Sequence, residues 1–140
     1  MTGEDLKRLC EIEQACFAHP LTEEQLRSLA GNGTVLLVTA RADRRIAGYV
    51  WAQTVLDEGY IGNVAVLPAF RRMGIADGLM QALAGAARER GLSFLTLEVR
   101  ASNLPAIALY EKNGYVPAGR RRNYYADPKE DAILMTLNFA

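Results

Sequence analysis

The sequence predicts an α/β (α+β) fold, a mixed sheet of about six strands flanked by four helices. Three observations carry this. TVLLVTA and IAGYVWAQTVL are rich in β-branched residues and flank a short polar break, as an antiparallel hairpin does. Two helical stretches in the middle of the chain separate strand-like runs, so crossover connections allow parallel neighbours there. YVPAGRRRNYY and DAILMTLNF close the chain as a late pair of strands.

Taken in order, Leu6, Leu9, Cys10, Glu13, Cys16 and Phe17 keep a helical period with one polar intruder, Glu13, and this helix stops before Pro20. A second short helix starts at Thr22, which has capping-box spacing to Gln25, and Asn32 and Gly33 break it. TVLLVTA is a buried strand, RADRR its turn, and IAGYVWAQTVL the partner; DEG then turns the chain into a third strand, YIGNVAV. The third helix runs from about Gly74 to Arg90, with Leu79, Met80, Leu83, Ala86 and Ala87 as its apolar stripe and Gly91 as its C′ glycine. SFLTLEV is the fourth strand. Asn103 caps the fourth helix, LPAIALYEKN, which tolerates Pro105 in its first turn and stops at Gly114.

At 140 residues the chain reads as one domain, 1–140, long enough to bury a core. Sixteen basic and sixteen acidic side chains cancel, which removes any general electrostatic drive onto nucleic acid or an anionic membrane. No signal peptide and no long apolar run is present, so a cytoplasmic protein without a membrane span is expected. Cys10 and Cys16 lie six apart, a poor spacing for a metal or redox pair, and read as reduced and half-buried. His19, in a loop before Pro20, is the only histidine, which rules out a multi-histidine metal site, and no metal is expected.

The stretch AFRRMGIADGLMQALAGAARERG puts two arginines and a glycine where a helix begins, although the helix dipole favours acids there. A bound anion would supply the missing negative charge. Free amides of the first helical turn would point at it, Gly74 would let the backbone approach, and Arg71 and Arg72 would add cationic donors. The segment is neither a Walker A loop nor a dinucleotide fingerprint. On its own residues it fits either an anion cradle or a solvated basic turn.

The segment has company. NVAVLPAFRRMGIADGLMQAL followed by LEVRASNLPAIALYEKNGY resembles the GCN5-related N-acetyltransferase (GNAT) superfamily. Adding RRNYY and EDAILM, the stretch from about Asp5 to Leu137 is similar to its family of ribosomal-protein alanine N-acetyltransferases (RimI). The resemblance implies a GNAT-type, mostly antiparallel sheet. Family members usually open with a short edge strand; this chain starts almost at the first helix, so that strand is either absent or lost to a misplaced start site. It also implies a monomeric enzyme with acetyl-CoA as co-substrate. The turn Arg71, Arg72, Met73, Gly74, Ile75, Ala76 is implied to bind the pyrophosphate, with Asp77 following where many relatives carry a basic residue. An acid in that place has to point away from the phosphates. Val64, Ala65 and Val66 are implied to pair with the pantetheine arm through a strand that splays from its neighbour, one of their amides polarising the thioester carbonyl.

Glu98 is the implied general base. Strand alternation places it opposite Leu95, Leu97 and Val99, which also suits a salt bridge with Arg100 or another base. Tyr110 is the implied acid for the leaving thiolate, two turns after Asn103 on one helix; a tyrosine simply packed on the sheet has the same pattern. Asn103 is implied to hydrogen-bond the cofactor as well as cap its helix. The implied acceptor is the N-terminal alanine of small-subunit ribosomal protein eighteen. CFAHPLTEEQL matches the loop bordering the peptide site, with Leu21 where relatives often carry an aromatic residue; RRRNYYAD, with Arg120, Arg121 and Arg122, is implied to form the other wall, and a solvated strand end has the same pattern. A small-molecule amine acetyltransferase and a non-catalytic acyl-CoA-binding module are the competing functions; Glu98 and Tyr110 together argue against the latter.

Overall fold

Apolar spacing and capping residues become helices in the computed structural model, which describes residues 1–139. Helices α1 (Gly3–Cys16) and α2 (Glu23–Gly31) each open on a reciprocal capping box, Thr2 with Asp5 and Thr22 with Gln25. No strand precedes α1 among the described residues. Strands β1 (Val35–Ala42), β2 (Arg45–Val55) and β3 (Glu58–Val66) form a meander. Its turns are tighter than RADRR and DEG suggest. Asp43 and Arg44 alone make the first, at φ 51° and 67°, and Ala42 already pairs with Arg45. Leu56, at φ 54°, begins the second, and Glu58 and Gly59 belong to the β3 ladder.

A short 3₁₀ turn, Pro68–Phe70, leads into α3 (Ile75–Arg90), followed by β4 (Phe94–Arg100) and α4 (Leu104–Lys112), then β5 (Val116–Ala126) and β6 (Lys129–Asn138). The sheet order is β1-β2-β3-β4-β6-β5, and only the β3/β4 junction is parallel. That ladder is short. Glu58, Gly59 and Tyr60 pair with Phe94, Leu95 and Thr96, after which the two strands part.

Helices cover both faces. Leu6, Leu9, Ile12 and Leu26 of α1 and α2 pack on Ile46, Tyr49 and Ala65. Leu79, Met80, Leu83 and Ala87 of α3 pack on the opposite face against Val50, Ala52, Ile61, Leu95 and Leu97. β2 is covered from both sides, which is why it reads as a nearly continuous apolar run rather than an alternating one. Gly62 sits just beyond the last β3/β4 pair. A Cβ there would fall 2.0 Å from Cζ2 of Trp51, so the indole occupies the space a side chain would need. Cys10 and Cys16 are free and half-buried, and no described helix is long and apolar enough to cross a membrane.

Candidate active site

Where β3 and β4 part, a groove opens between the end of β3 and α4. It has three connected lobes. One, of about 200 Å³, lies at the start of α3 beside Arg72 and Gly74. The next, of about 280 Å³, lies between residues 64–66 and Ala106, Leu109 and Tyr110, and shares Val66, Arg71, Ala76 and Leu109 with the first. The third, of about 520 Å³, holds Glu98, Asn103, Tyr124 and Tyr125, and shares Phe17, Val64 and Tyr110 with the second.

The first lobe is built on the helix start. Thr2, Thr22 and Asn103 cap α1, α2 and α4 with side chains, whereas the N-cap of α3 is Gly74, with no side-chain cap. Gly74 has φ 78°, and a Cβ on it would meet nothing within 4 Å. Backbone conformation therefore demands the glycine, and the space before it is open. Arg72 is also left-handed, at φ 64°, uncommon for a residue other than glycine. The first helical bond runs from the Gly78 amide to the Gly74 carbonyl at 3.0 Å, so the amides ahead of Gly78 have no partner within the helix. These amides, together with the positive end of the helix dipole, suit an anion.

The flanking side chains divide. Arg72 and Met73 are exposed, and Ile75 and Ala76 pack on the core, Ala76 also lining the groove. Arg71 is exposed and lines the first two lobes with part of its guanidinium already engaged. Its Nε donates to the Val66 carbonyl at 3.1 Å and its Nη2 lies 3.7 Å from Cys16 Sγ, so it braces the end of β3 against α1. Asp77 is committed to the helix pair. It accepts from Asn113 Nδ2 at 2.9 Å and Gln81 Nε2 at 3.0 Å, with Lys112 Nζ at 3.6 Å. Its carboxylate is thereby tied to α4 and to Gln81, although Asp77 belongs to the first turn of α3 and lines the first lobe.

Residues 64–66 form the wall of the middle lobe. Val64, Ala65 and Val66 pair with Val50, Tyr49 and Gly48 of β2, while on their other side β4 has already diverged. Backbone groups on that side have no strand to pair with, which lets an extended ligand pair there instead.

At the far lobe, Glu98 stands between buried Leu97 and Val99 on the half-buried face of β4, as alternation requires. Its ion-pair partner is Arg121, with Nε 3.4 Å from Oε1, and not Arg100, which pairs with Glu130 at 3.3 Å and stacks over Tyr125 at 4.2 Å. Tyr110 enters from α4 with its ring 5.9 Å from that of Tyr115. Burial, reinforced by Tyr125, pushes its phenol up to about 12, so it stays a proton donor throughout the neutral range. Asn103 accepts from the Ala106 amide at 3.3 Å as the α4 cap and lines the same lobe.

The outer wall comes from the expected segment, but through its tyrosines rather than its arginines. Tyr124 and Tyr125 line the lobe, while Arg120 pairs with Asp131 at 3.2 Å and Arg121 with Glu98. The register of β5 against β6 shifts between Arg121 and Tyr125, and Asn123 sits at φ 52°, so strand alternation cannot tell which residues face the groove. From the α1 side, Phe17 lines the groove, but Leu21 packs into the core under α1 and α2. Glu13 is fully buried, a role that only its place in an apolar stripe hinted at. His19 is exposed, 4.0 Å from Asp127, and no group of three metal-ligating side chains occurs among the described residues.

The acetyltransferase (GNAT) family model matches residues 6–115. The chain is 41% identical to the [ribosomal protein bS18]-alanine N-acetyltransferase of Escherichia coli K12 over 135 residues, covering 95% of this chain and 90% of that one. It is 39% identical to the enzyme of the same name from Haemophilus ducreyi over 137 residues, covering 96% and 94%. Its fold matches the crystal structure of the ribosomal-protein-S18-alanine N-acetyltransferase from Escherichia coli with a TM-score of 0.89 at 38% identity, covering 100% of this chain and 91% of that one.

Proposed function

This chain belongs to the acetyltransferase (GNAT) family and is an N-acetyltransferase; from that premise we propose that it transfers the acetyl group of acetyl-CoA to the α-amine of an N-terminal alanine, that of small-subunit ribosomal protein bS18. One observation carries the reading. The uncapped start of α3, the open edge of residues 64–66, and Glu98 with Tyr110 lie along one groove. An acyl-CoA fits this order, with phosphates at one end, an extended arm in the middle and a reacting group at the other.

Bound acetyl-CoA supplies an activated acetyl group as a thioester. The amides at Gly74, Ile75 and Ala76, with Arg72, hold the pyrophosphate. Arg71 keeps the end of β3 in place, and Asp77 keeps α4 against α3, so both serve the cofactor by shaping its groove. Residues 64–66 offer main-chain groups to the arm, and an amide among them faces the oxygen on which charge develops. Glu98, directly or through water, takes one proton from the incoming ammonium; as the C–N bond forms and the C–S bond breaks, Tyr110 gives its proton to the departing sulfur and recovers one from the nitrogen, leaving a neutral amide, a thiol and a proton on Glu98. Asn103 adds a side-chain oxygen beside its capping bond.

An α-amine suits this machinery. With a pKa of about 8, roughly a tenth of it is already neutral at pH 7, far more than of a lysine at about 10.4. The test is mass spectrometry of a peptide beginning Ala-Arg, incubated with acetyl-CoA and the protein, beside the same peptide with a blocked N-terminus and one internal lysine. A gain of one acetyl group on the free N-terminus alone supports the reading. Acetylation of the lysine, or none while acetyl-CoA still binds, moves the assignment to another amine or to a binding module.

A further inference from the structure

Glu13 takes no part in the chemistry above, yet it is the one charged side chain fully buried among the described residues. It belongs to the last turn of α1, among Leu9, Ile12 and Leu26. An apolar residue would serve the packing better, because a carboxylate stripped of water needs replacement donors. It has two. Tyr49, itself fully buried on β2, donates its hydroxyl to Oε2, and the Leu21 amide donates to Oε1 at 2.8 Å. The main-chain carbonyl of Glu13 accepts from the Phe17 amide at 3.0 Å.

One residue therefore grips both ends of the segment 17–21. The three residues between, Ala18, His19 and Pro20, are exposed, and Phe17 faces the lobe that holds Glu98 and Tyr110. Tyr49 pairs with Ala65 across the β2/β3 ladder, so the grip is anchored on the strand that forms the groove wall. We propose that Glu13 is a positioning residue for the acceptor: by holding Phe17 and Leu21 it fixes segment 17–21 as the wall against which the substrate's N-terminal residues lie. The proposal rests on the acetyl-transfer reading of the groove.

Glu13→Gln keeps the volume but sets an amide NH₂ against one of the two donors. Losing a hydrogen bond to a charged group should raise the KM for an Ala-Arg peptide about tenfold, with the KM for acetyl-CoA within about twofold of wild type and kcat within about threefold. Exchange of the Leu21 amide, followed by NMR, should quicken about tenfold. Tyr49→Phe removes one donor, leaves the Leu21 bond, and should give the same pattern at smaller amplitude; it carries the comparison if the Gln variant fails to fold. A peptide KM unchanged in both variants, with only the melting temperature lowered, overturns the proposal. If the wild type leaves the peptide unmodified, the acetyl-transfer reading falls by itself. Leu21 exchange then still decides the grip, and an unchanged rate overturns it.

Discussion

Replacing Tyr110 by Phe removes one oxygen from the groove and keeps the ring that packs 5.9 Å from Tyr115. That phenol is half-buried, so the fold should lose no more than about 1 kcal/mol. The chemistry should lose far more. A positioned general acid contributes about 10²–10⁴-fold, or about 3 to 5 kcal/mol of barrier, and kcat should fall by that factor while acetyl-CoA affinity holds. The pH dependence sharpens the test. With the phenol at about 12, roughly one molecule in a thousand is ionised at pH 9, against about one in ten for a tyrosine at about 10. Wild-type kcat should therefore show no descending limb from this group up to about pH 10. Single-turnover formation of acetylated peptide, quenched and separated by chromatography across that range, reads both quantities. A Phe variant within about threefold of wild type throughout would refute the acid role. A wild-type limb centred near pH 10 that vanishes in the variant would keep the role and refute the argument from burial.

Glu98→Gln should lower kcat by about 10²-fold or more with acetyl-CoA affinity unchanged by calorimetry; a large loss of affinity would assign Glu98 to structure instead. Asp77→Ala removes an acceptor from Asn113, which still donates to the Leu109 carbonyl, and from the exposed Gln81, and should cost about 0.5–1.5 kcal/mol in a denaturant titration while leaving acetyl-CoA affinity intact. Weakened affinity with full stability would return Asp77 to the phosphate site. Burial raises the phenols of Tyr49, Tyr110 and Tyr115, so the fold keeps them protonated above the pH of about 10 at which the unfolded chain ionises. Their contribution is intact below that pH and should fall by about 1.4 kcal/mol per unit for each tyrosine as pH rises further, and a flat stability from about pH 9 to 11 would refute this.

Helix ends were legible in the sequence wherever a side chain closes the turn on itself. Thr22 with Gln25, Asn103 and Gly91 all act where their spacing places them. Strand turns were less so, because Asp43, Arg44 and Leu56 adopt left-handed backbone with no glycine to announce it. The same limit applies in the candidate site. Gly74, Glu98 and Tyr110 belong to local patterns and fall along one groove. The bracing of Arg71 on Val66 and the tie from Asp77 to Asn113 depend on how separate elements dock, and in the second case on a residue 36 positions away. The tyrosines of β5 face the groove through an irregularity at Asn123 that no period describes. Glu13 was visible as an intruder in an apolar stripe, but its meaning needed Tyr49 and Leu21 beside it.

The short parallel seam divides the chain into two consecutive blocks. All ladder pairs of β1, β2 and β3 fall within residues 35–66, and those of β4, β5 and β6 within 94–138; three residue pairs alone join the blocks through the sheet. Helix α3 buckles them, since it packs on strands from both. Each block owns most of its pairing locally, a low-entropy route to the folded sheet. The groove belongs to neither block. It takes one wall from each, Val64 and Ala65 from the first and Glu98 and Tyr110 from the second, so its width depends on how α3 holds the two together.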